Sequence, residues 1–208
     1  MIELYTWGTP NGRKASIMLE EVGLPYTVHP VNILEGDQHK PEFLAISPNN
    51  KIPGIVDPDG PGGKPISLFE TGAILMYLAR KTGSELFPPE ADALAYWSVM
   101  QWLMFQMGNV GPFFGQANHF LRFAKEDVPY GKKRYRDEVH RLYGVIDRRL
   151  ADVRYLAGDA YSIADIATYP WCARWIWHEI DLDDIPNVKR WFEEIGARPA
   201  VEKGMEVP

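Results

Sequence analysis

The chain has few of the groups that build disulfide, metal or membrane-spanning structures. Only one of its 208 residues is a cysteine, Cys172, so neither an internal disulfide nor a C-x-x-C redox pair can form. The five histidines have no cysteine companions and no metal-ligand spacing, and we therefore expect no metal site. No apolar run approaches the roughly 18 residues that a membrane span requires.

Acidic residues outnumber basic ones, 28 to 22. The formal net charge is −6 at pH 7 and no basic run or stripe stands out, which argues against a nucleic-acid partner. A hydrophobic fraction of 46% with 24% charged residues is typical of a globular protein with an ample core. The first residues contain no basic segment followed by an apolar one, so the sequence favours a cytoplasmic, reducing location.

Two patterns divide the chain into two predicted domains. Residues 1–83 alternate strand-like and helix-like segments in the order βαβ-α-ββα, which predicts an α/β domain. After Pro88-Pro89, residues 90–208 show helical periodicity and no convincing strand pair, which predicts an all-α domain. The predicted strands are 2–7, 26–31, 52–56 and 66–68, and the predicted helices are 13–22, 41–46, 71–81, 90–107, 130–152, 163–177 and 187–196.

This order of elements, together with four motifs, resembles the glutathione transferase superfamily over the whole chain. The motifs are Thr9-Pro-Asn-Gly, Ser47-Pro-Asn-Asn-Lys-Ile-Pro, Phe69-Glu-Thr-Gly-Ala and Tyr161-Ser-Ile-Ala-Asp. The resemblance implies a thioredoxin-like N-terminal domain that binds glutathione, followed by an all-helical C-terminal domain. It is greatest to the bacterial Nu-class and Ure2-like branch, in which the family reaction is less often thiol conjugation than glutathione-dependent disulfide reduction.

The segment Lys51-Ile52-Pro53 is the first predicted part of a glutathione site. By resemblance, Pro53 is the cis-proline at the start of the third strand, and the amide and carbonyl of Ile52 pair with the cysteinyl backbone of glutathione like an added strand. Lys51 is then expected near the glycyl carboxylate. An ordinary turn proline is the alternative.

Glu70 and Thr71 stand at the start of a predicted helix, where free amides and partial positive charge suit a carboxylate. We expect Thr71 to donate its hydroxyl and amide to the γ-glutamyl carboxylate of glutathione. Glu70 would accept from the adjacent ammonium. The alternative, that one of them only caps the helix, is compatible with binding.

Thr9 and Asn11 are the candidates for the sulfur end, because both carry side-chain donors in the turn before the first predicted helix. Resemblance assigns the sulfur contact to Asn11, with Thr9 as its helper. Tyr5 is a competitor, although strand alternation equally predicts a packing role for it. We interpret Ser16 as a neutral helix position and Cys172 as a buried thiol.

Two further residues follow from the resemblance. Gln38 matches a loop residue that reaches the glycyl end, with a plain surface glutamine as the alternative. Arg134 matches an arginine of the helical domain that closes over the peptide, although the crowding of basic residues around it also fits a solvated helix face. Ser162 and Asp165, in contrast, form a capping box and are expected to stabilise the fold.

The sequence thus predicts a glutathione-dependent enzyme that reduces small disulfides and is also able to conjugate glutathione to electrophiles. Glutathione is the co-substrate and no metal is expected. A homodimer is implied by the resemblance alone. The alternative is a non-catalytic binding or regulatory module that retains the same fold.

Overall fold

The computed structural model describes all 208 residues, and these form two compact units. The first unit consists of Met1–Ser84 together with Arg198–Pro208, and the second of Glu85–Ala197. The sequence prediction had placed residues 198–208 with the helical domain, whereas in the structure they group with the first unit. None of the helices combines the length and the apolar character needed to cross a membrane.

Four strands and nine α-helices form the regular structure. The strands are β1 (Ile2–Thr6), β2 (Tyr26–Pro30), β3 (Gly54–Asp57) and β4 (Ile66–Leu68). The helices are α1 (Pro10–Glu21), α2 (Pro41–Leu44), α3 (Thr71–Thr82), α4 (Ala93–Phe105), α5 (Gly111–Asn118), α6 (Pro129–Asp152), α7 (Ile163–Cys172), α8 (Pro186–Gly196) and α9 (Pro199–Glu206).

The first unit is built on one mixed sheet with the strand order β2-β1-β3-β4. β1 pairs with β2 in parallel, and β3 is antiparallel to both β1 and β4. Helices α1 and α3 pack against each other, and their apolar side chains join those of the sheet in one core. Its fully buried members include Leu4, Ile17, Met18, Ile55, Ile74, Leu75 and Leu78. The predicted thioredoxin-like fold is confirmed.

The terminal helix α9 packs directly on α1 within the first unit. A side chain at Gly204 would place its Cβ 2.5 Å from the Cα of Ile17, so only glycine permits this approach. Ser16 is buried there and donates its hydroxyl to the carbonyl of Gly204 at 2.6 Å. The interpretation of Ser16 as a neutral helix position is therefore wrong, because it joins two helices.

The second unit is helical throughout, as predicted, and is organised around α7, in which every residue is buried. Ser162 caps this helix, and the Asp165 carboxylate accepts from the amide of Ser162 at 3.0 Å, which confirms the capping box. Asp165 also accepts from the amide of Leu156 and the indole N–H of Trp191, each at 2.9 Å. Burial raises the pKa of Asp165, and these donors oppose that rise.

The sequence missed two helices and extended a third. α9 begins with Pro199, and α5 carries a proline as its second residue. The predicted helix 163–177 ends at Cys172, two residues after Pro170, and a short 3₁₀ turn follows over Trp175–His178. Pro170 removes a backbone donor from the last turns of the helix.

Candidate functional site

One end of the sheet collects the chain segments that carry the predicted site. β1 ends at Thr6 and β2 ends beside it at Pro30, because the two strands run in parallel. β3 starts at the same end, with Gly54 opposite Tyr5, and β4 runs antiparallel to β3 and ends there at Leu68. The predicted site residues of the first unit all lie in segments that enter or leave this end: Thr9, Asn11, Gln38, Lys51, Ile52, Pro53, Glu70 and Thr71.

The helix α1 begins directly after β1 and presents uncharged donors in its first turn. Thr9 is the N-cap, and its hydroxyl oxygen accepts from the amide of Gly12 at 3.2 Å. Since that oxygen is the acceptor, the hydroxyl hydrogen of Thr9 remains able to donate elsewhere. Asn11 is the second residue of the helix. A Cβ at Gly12 would lie 2.3 Å from the Trp7 carbonyl oxygen, so glycine is required for this tight start.

The segment before β3 presents a free backbone edge. The Ile52–Pro53 peptide is cis, which confirms the expected geometry of Pro53. Ser47 donates its hydroxyl to the carbonyl of Lys51 at 2.8 Å and thereby fixes the preceding residue. Ile52 is half-buried and makes no hydrogen bond, so its amide and carbonyl can both pair with an extended peptide. The Lys51 side chain is exposed.

Helix α3 begins with an N-cap residue that does not cap. The Glu70 side chain makes no capping hydrogen bond and is exposed, and its backbone adopts a positive φ of 68°. Non-glycine residues seldom adopt this conformation, and such residues are concentrated at functional sites. Thr71, the first residue of the helix, is buried with 7% of its surface exposed. The start of α3 thus presents helix amides beside an exposed carboxylate.

Lys14 is a residue of this region that the sequence analysis missed. It lies on α1 with 2% of its surface exposed, and its ammonium donates to the Thr71 hydroxyl oxygen at 3.3 Å. Burial lowers the pKa of Lys14 to about 7, and the nearby Glu70 carboxylate opposes that shift. The sequence did contain one indication of this residue: Lys14 stands three and four positions before Ile17 and Met18, which places a charged side chain on the apolar face of α1.

Gln38 lies in a short 3₁₀ turn, Asp37–His39, in the connection that leaves β2. Its side-chain amide donates to the carbonyl of Ile33 at 3.4 Å, while its carbonyl oxygen is buried and has no partner. A buried amide oxygen without a donor is costly unless a ligand or water supplies one. The predicted role of Gln38 at the glycyl end of glutathione stays a prediction.

Arg134 belongs to the second unit, where it lies on α6. Its side chain is exposed, pairs with Glu138 at 3.7 Å and lies over the ring of Phe113, 5.8 Å from its centroid. Glu138 has a shorter contact with Arg141, at 2.7 Å. The long ion pair holds Arg134 only weakly, and its predicted role with glutathione stays a prediction.

Tyr5 and Cys172, the other residues considered for the thiol chemistry, make packing contacts or are buried. The ring of Tyr5 stacks on His29 with centroids 4.6 Å apart, which accounts for its position on the sheet. Cys172 is buried, as predicted, and burial raises the pKa of its thiol, so it is a poor nucleophile. The structure contains no group of three His, Cys, Asp or Glu side chains that could hold a metal ion.

Two protein-family profiles match the chain, one in the α/β region and the other in the helical region. Residues 9–81 match "Glutathione S-transferase, N-terminal domain" and residues 112–199 match "Glutathione S-transferase, C-terminal domain". Together they cover well over half of the sequence.

Similar proteins extend this likeness to the full length. The disulfide-bond oxidoreductase YfcG of Escherichia coli strain K12 is 48% identical over 206 residues, covering 99% of this chain and 94% of that protein. A Pseudomonas fluorescens glutathione transferase family member, solved with two glutathione molecules bound, is 49% identical with a TM-score of 0.94, covering 100% of this chain and 93% of that one. A Pseudomonas putida glutathione transferase with one bound glutathione disulfide per subunit is 45% identical with a TM-score of 0.93, covering 100% and 91%.

Proposed function

We propose that this chain, which belongs to the glutathione S-transferase superfamily, binds glutathione and uses its thiolate to reduce small disulfides. The observation that carries the proposal is the 48% identity, over nearly the whole length of both chains, to a disulfide-bond oxidoreductase. The glutathione and glutathione disulfide in the two similar solved structures support the choice of reductant.

The first unit supplies groups that suit each part of the tripeptide. Thr9 and Asn11 donate to the sulfur, and the backbone of Ile52 pairs with the cysteinyl residue. The amides of α3 and the Thr71 hydroxyl bind the γ-glutamyl carboxylate, and Glu70 accepts from the γ-glutamyl ammonium. Gln38 and Lys51 bind the glycyl end, and the cis peptide before Pro53 holds the backbone of Ile52 in position for the cysteinyl residue.

The proposed reaction requires two thiol–disulfide exchanges. The thiolate of one glutathione attacks a sulfur of the substrate disulfide, whose S–S bond breaks to release one thiolate and leave a mixed disulfide. The thiolate of a second glutathione attacks the glutathione sulfur of that mixed disulfide, releasing the second thiolate and forming glutathione disulfide. Two electrons pass from two glutathione molecules to the substrate. The buried Cys172 takes no part.

Turnover of two acceptors in one preparation tests this proposal. We expect reduction of hydroxyethyl disulfide by glutathione to exceed conjugation of a chlorodinitrobenzene acceptor. Conjugation without disulfide reduction would instead assign a transferase. Passage through a glutathione-affinity column without retention, together with no turnover of either acceptor, would favour the non-catalytic module.

A homodimer is part of the proposal. Three apolar side chains project from one face of α4, with exposed fractions of 89% for Leu94, 64% for Trp97 and 46% for Met104. An exposed apolar stripe of this kind is typical of a surface that another chain covers. Sedimentation analysis should give a dimer for the protein and a shift towards monomer for Trp97→Glu. A monomeric protein at high concentration would contradict this part.

A further inference from the structure

The charged residues of α1 are arranged against the dipole of the helix. The first turn of α1 contains no acidic residue, and Arg13 and Lys14 lie in and directly after it. The last turn contains Glu20 and Glu21 and no basic residue. The favourable arrangement is the reverse, because a helix carries partial positive charge at its N-terminus and partial negative charge at its C-terminus. Both ends of α1 therefore require compensating charge from outside the helix.

The acidic end of α1 has this compensation within the first unit. Lys203 of α9 pairs with Glu20 at 2.8 Å. Arg198, directly before α9, donates to both carboxylate oxygens of Glu21, each at 2.8 Å. Cations of the protein itself thus neutralise the carboxylates at this end.

No carboxylate compensates Arg13 at the other end. Its side chain is half-buried, and its Nε is shielded from solvent without a hydrogen-bond partner. Burial alone lowers the pKa of Arg13, whereas for Lys14 the Glu70 carboxylate opposes the same kind of shift. A guanidinium has only donors and stays charged at neutral pH. A partly desolvated guanidinium is therefore costly until a ligand supplies an acceptor.

Helix geometry places this cation at the sulfur end of the proposed site. The amide of Arg13 donates to the carbonyl of Thr9 at 3.1 Å, so the two residues lie one turn apart and are neighbours on the surface of α1. Long side chains in helices lean towards the N-terminus and cover the preceding turn. The Arg13 side chain is thereby directed towards Thr9, which is proposed to contact the glutathione sulfur. A disulfide that exchanges with that sulfur has to approach the same turn.

We infer that Arg13 binds a carboxylate of the disulfide substrate, so that the enzyme prefers anionic disulfides, such as those of glutathione, to neutral or cationic ones. This inference rests on the proposed function, because it assumes that glutathione sulfur lies at the start of α1. The planar guanidinium fork matches a carboxylate. In the first exchange the glutathione thiolate attacks one sulfur of the substrate, the S–S bond breaks, and the other sulfur leaves as a thiolate. Arg13 exchanges no proton in this step and acts on the carboxylate alone.

Three small disulfides that differ in charge test the inference. The probes are 3,3′-dithiodipropionate with two carboxylates, uncharged hydroxyethyl disulfide, and cystamine with two ammonium groups. At saturating glutathione, kcat/KM for the disulfide reports the steps up to release of the first thiolate. Each value is divided by the rate constant of the uncatalysed reaction with glutathione, because the leaving thiols differ in pKa. The unaltered protein should favour the dianion over the neutral probe by about tenfold and should use cystamine least well.

The substitution Arg13→Gln should remove this preference. The normalised kcat/KM for dithiodipropionate should fall by about tenfold, the low end for a charge-assisted contact because the side chain is half exposed. The value for hydroxyethyl disulfide should stay within about twofold. Arg13→Lys should retain part of the preference, since it keeps the charge without the planar fork. Lys64→Gln, at an exposed lysine of the same unit, is the matched control and should change none of the three values.

The outcomes separate this inference from the proposed function. Equal normalised values for the three disulfides in the unaltered protein, or a charge preference that persists in Arg13→Gln, would overturn the inference and leave disulfide reduction intact. An equal loss with all three probes in Arg13→Gln would also overturn it, since Arg13 would then act on the bound glutathione or on the fold. Absence of turnover with every disulfide in the unaltered protein would instead overturn the proposed function and this inference with it.

Discussion

The starts of α3 and α7 each carry one hydroxyl and one carboxylate side chain, but only α7 uses them to cap its backbone amides. At α7, Ser162 and Asp165 close a capping box inside the core, and the carboxylate has donors from three segments. At α3, the Glu70 side chain caps nothing, is exposed and stands on a residue with φ of 68°. A helix start whose amides are bound by its own capping side chains stabilises the fold, whereas one with no side-chain cap beside an exposed charge is suited to a ligand.

The largest effect is expected from Asp165→Ala. This change leaves the amides of Leu156 and Ser162 and the indole of Trp191 without their buried acceptor. The free energy of unfolding should fall by about 3 kcal/mol or more, since each orphaned donor costs about 1–3 kcal/mol. Denaturant unfolding measures it, with the exposed Asp159→Ala as control. If Asp165→Ala were as stable as the control, the capping box at the start of α7 would not stabilise the fold, and the contrast with α3 would fail.

A pH-dependent effect is expected from Lys14, beneath the start of α3. Because burial lowers its pKa from 10.5 to about 7, the unfolded chain binds more protons than the native one between those values. Lys14 therefore costs stability that is fully present below about pH 7 and is lost as the pH rises towards 10.5. Lys14→Met should be more stable than the unaltered protein at neutral pH, and the difference should shrink by up to about 1.4 kcal/mol per pH unit. A difference independent of pH would show that Lys14 titrates normally.

Thr9 should show an intermediate effect, because α1 combines a side-chain cap with the proposed sulfur contact. Thr9→Ala removes the acceptor for the Gly12 amide and should lower the free energy of unfolding by about 1 kcal/mol. It should also lower disulfide turnover, whereas Thr9→Ser should retain both properties. Turnover that falls equally in Thr9→Ser would mean that the methyl group, and not the hydroxyl, is what matters.

The smallest effect is expected from Cys172→Ala. The thiol is buried and its pKa is raised by desolvation, so it should not exchange with disulfides at neutral pH. Turnover of hydroxyethyl disulfide per folded molecule should be unchanged. A loss of turnover in a variant with an unaltered melting temperature would mean that a protein thiol takes part.

The fold was predictable because strong local signals agreed with one another. Turn residues bounded each strand, and the motif from Ser162 to Asp165 has only one common structural meaning. Motifs of the same kind predicted the family and the cis peptide between Ile52 and Pro53, and both predictions are confirmed. Two helices with a proline in the first turn, α5 and α9, were missed, since proline also ends helices elsewhere.

The site was less predictable, because its parts depend on contacts between distant segments. The contact of Lys14 with Thr71 spans 57 positions, and that of Ser16 with Gly204 spans 188. Neither Lys14 nor Ser16 belongs to a recognised motif, so the sequence could predict only that each lies on the buried face of α1. The positive φ of Glu70 likewise depends on the path of the chain between β4 and α3, which no short pattern encodes.

Ultraviolet titration of the thiolate of bound glutathione tests the central claim most directly. If the start of α1 stabilises the anion, the bound thiol should have a pKa at least about one unit below the roughly 8.5 of a free thiol. Asn11→Ala should return that pKa towards the free value, while the exposed Asn49→Ala should not. A bound thiol that titrates like free glutathione in the unaltered protein would contradict the account.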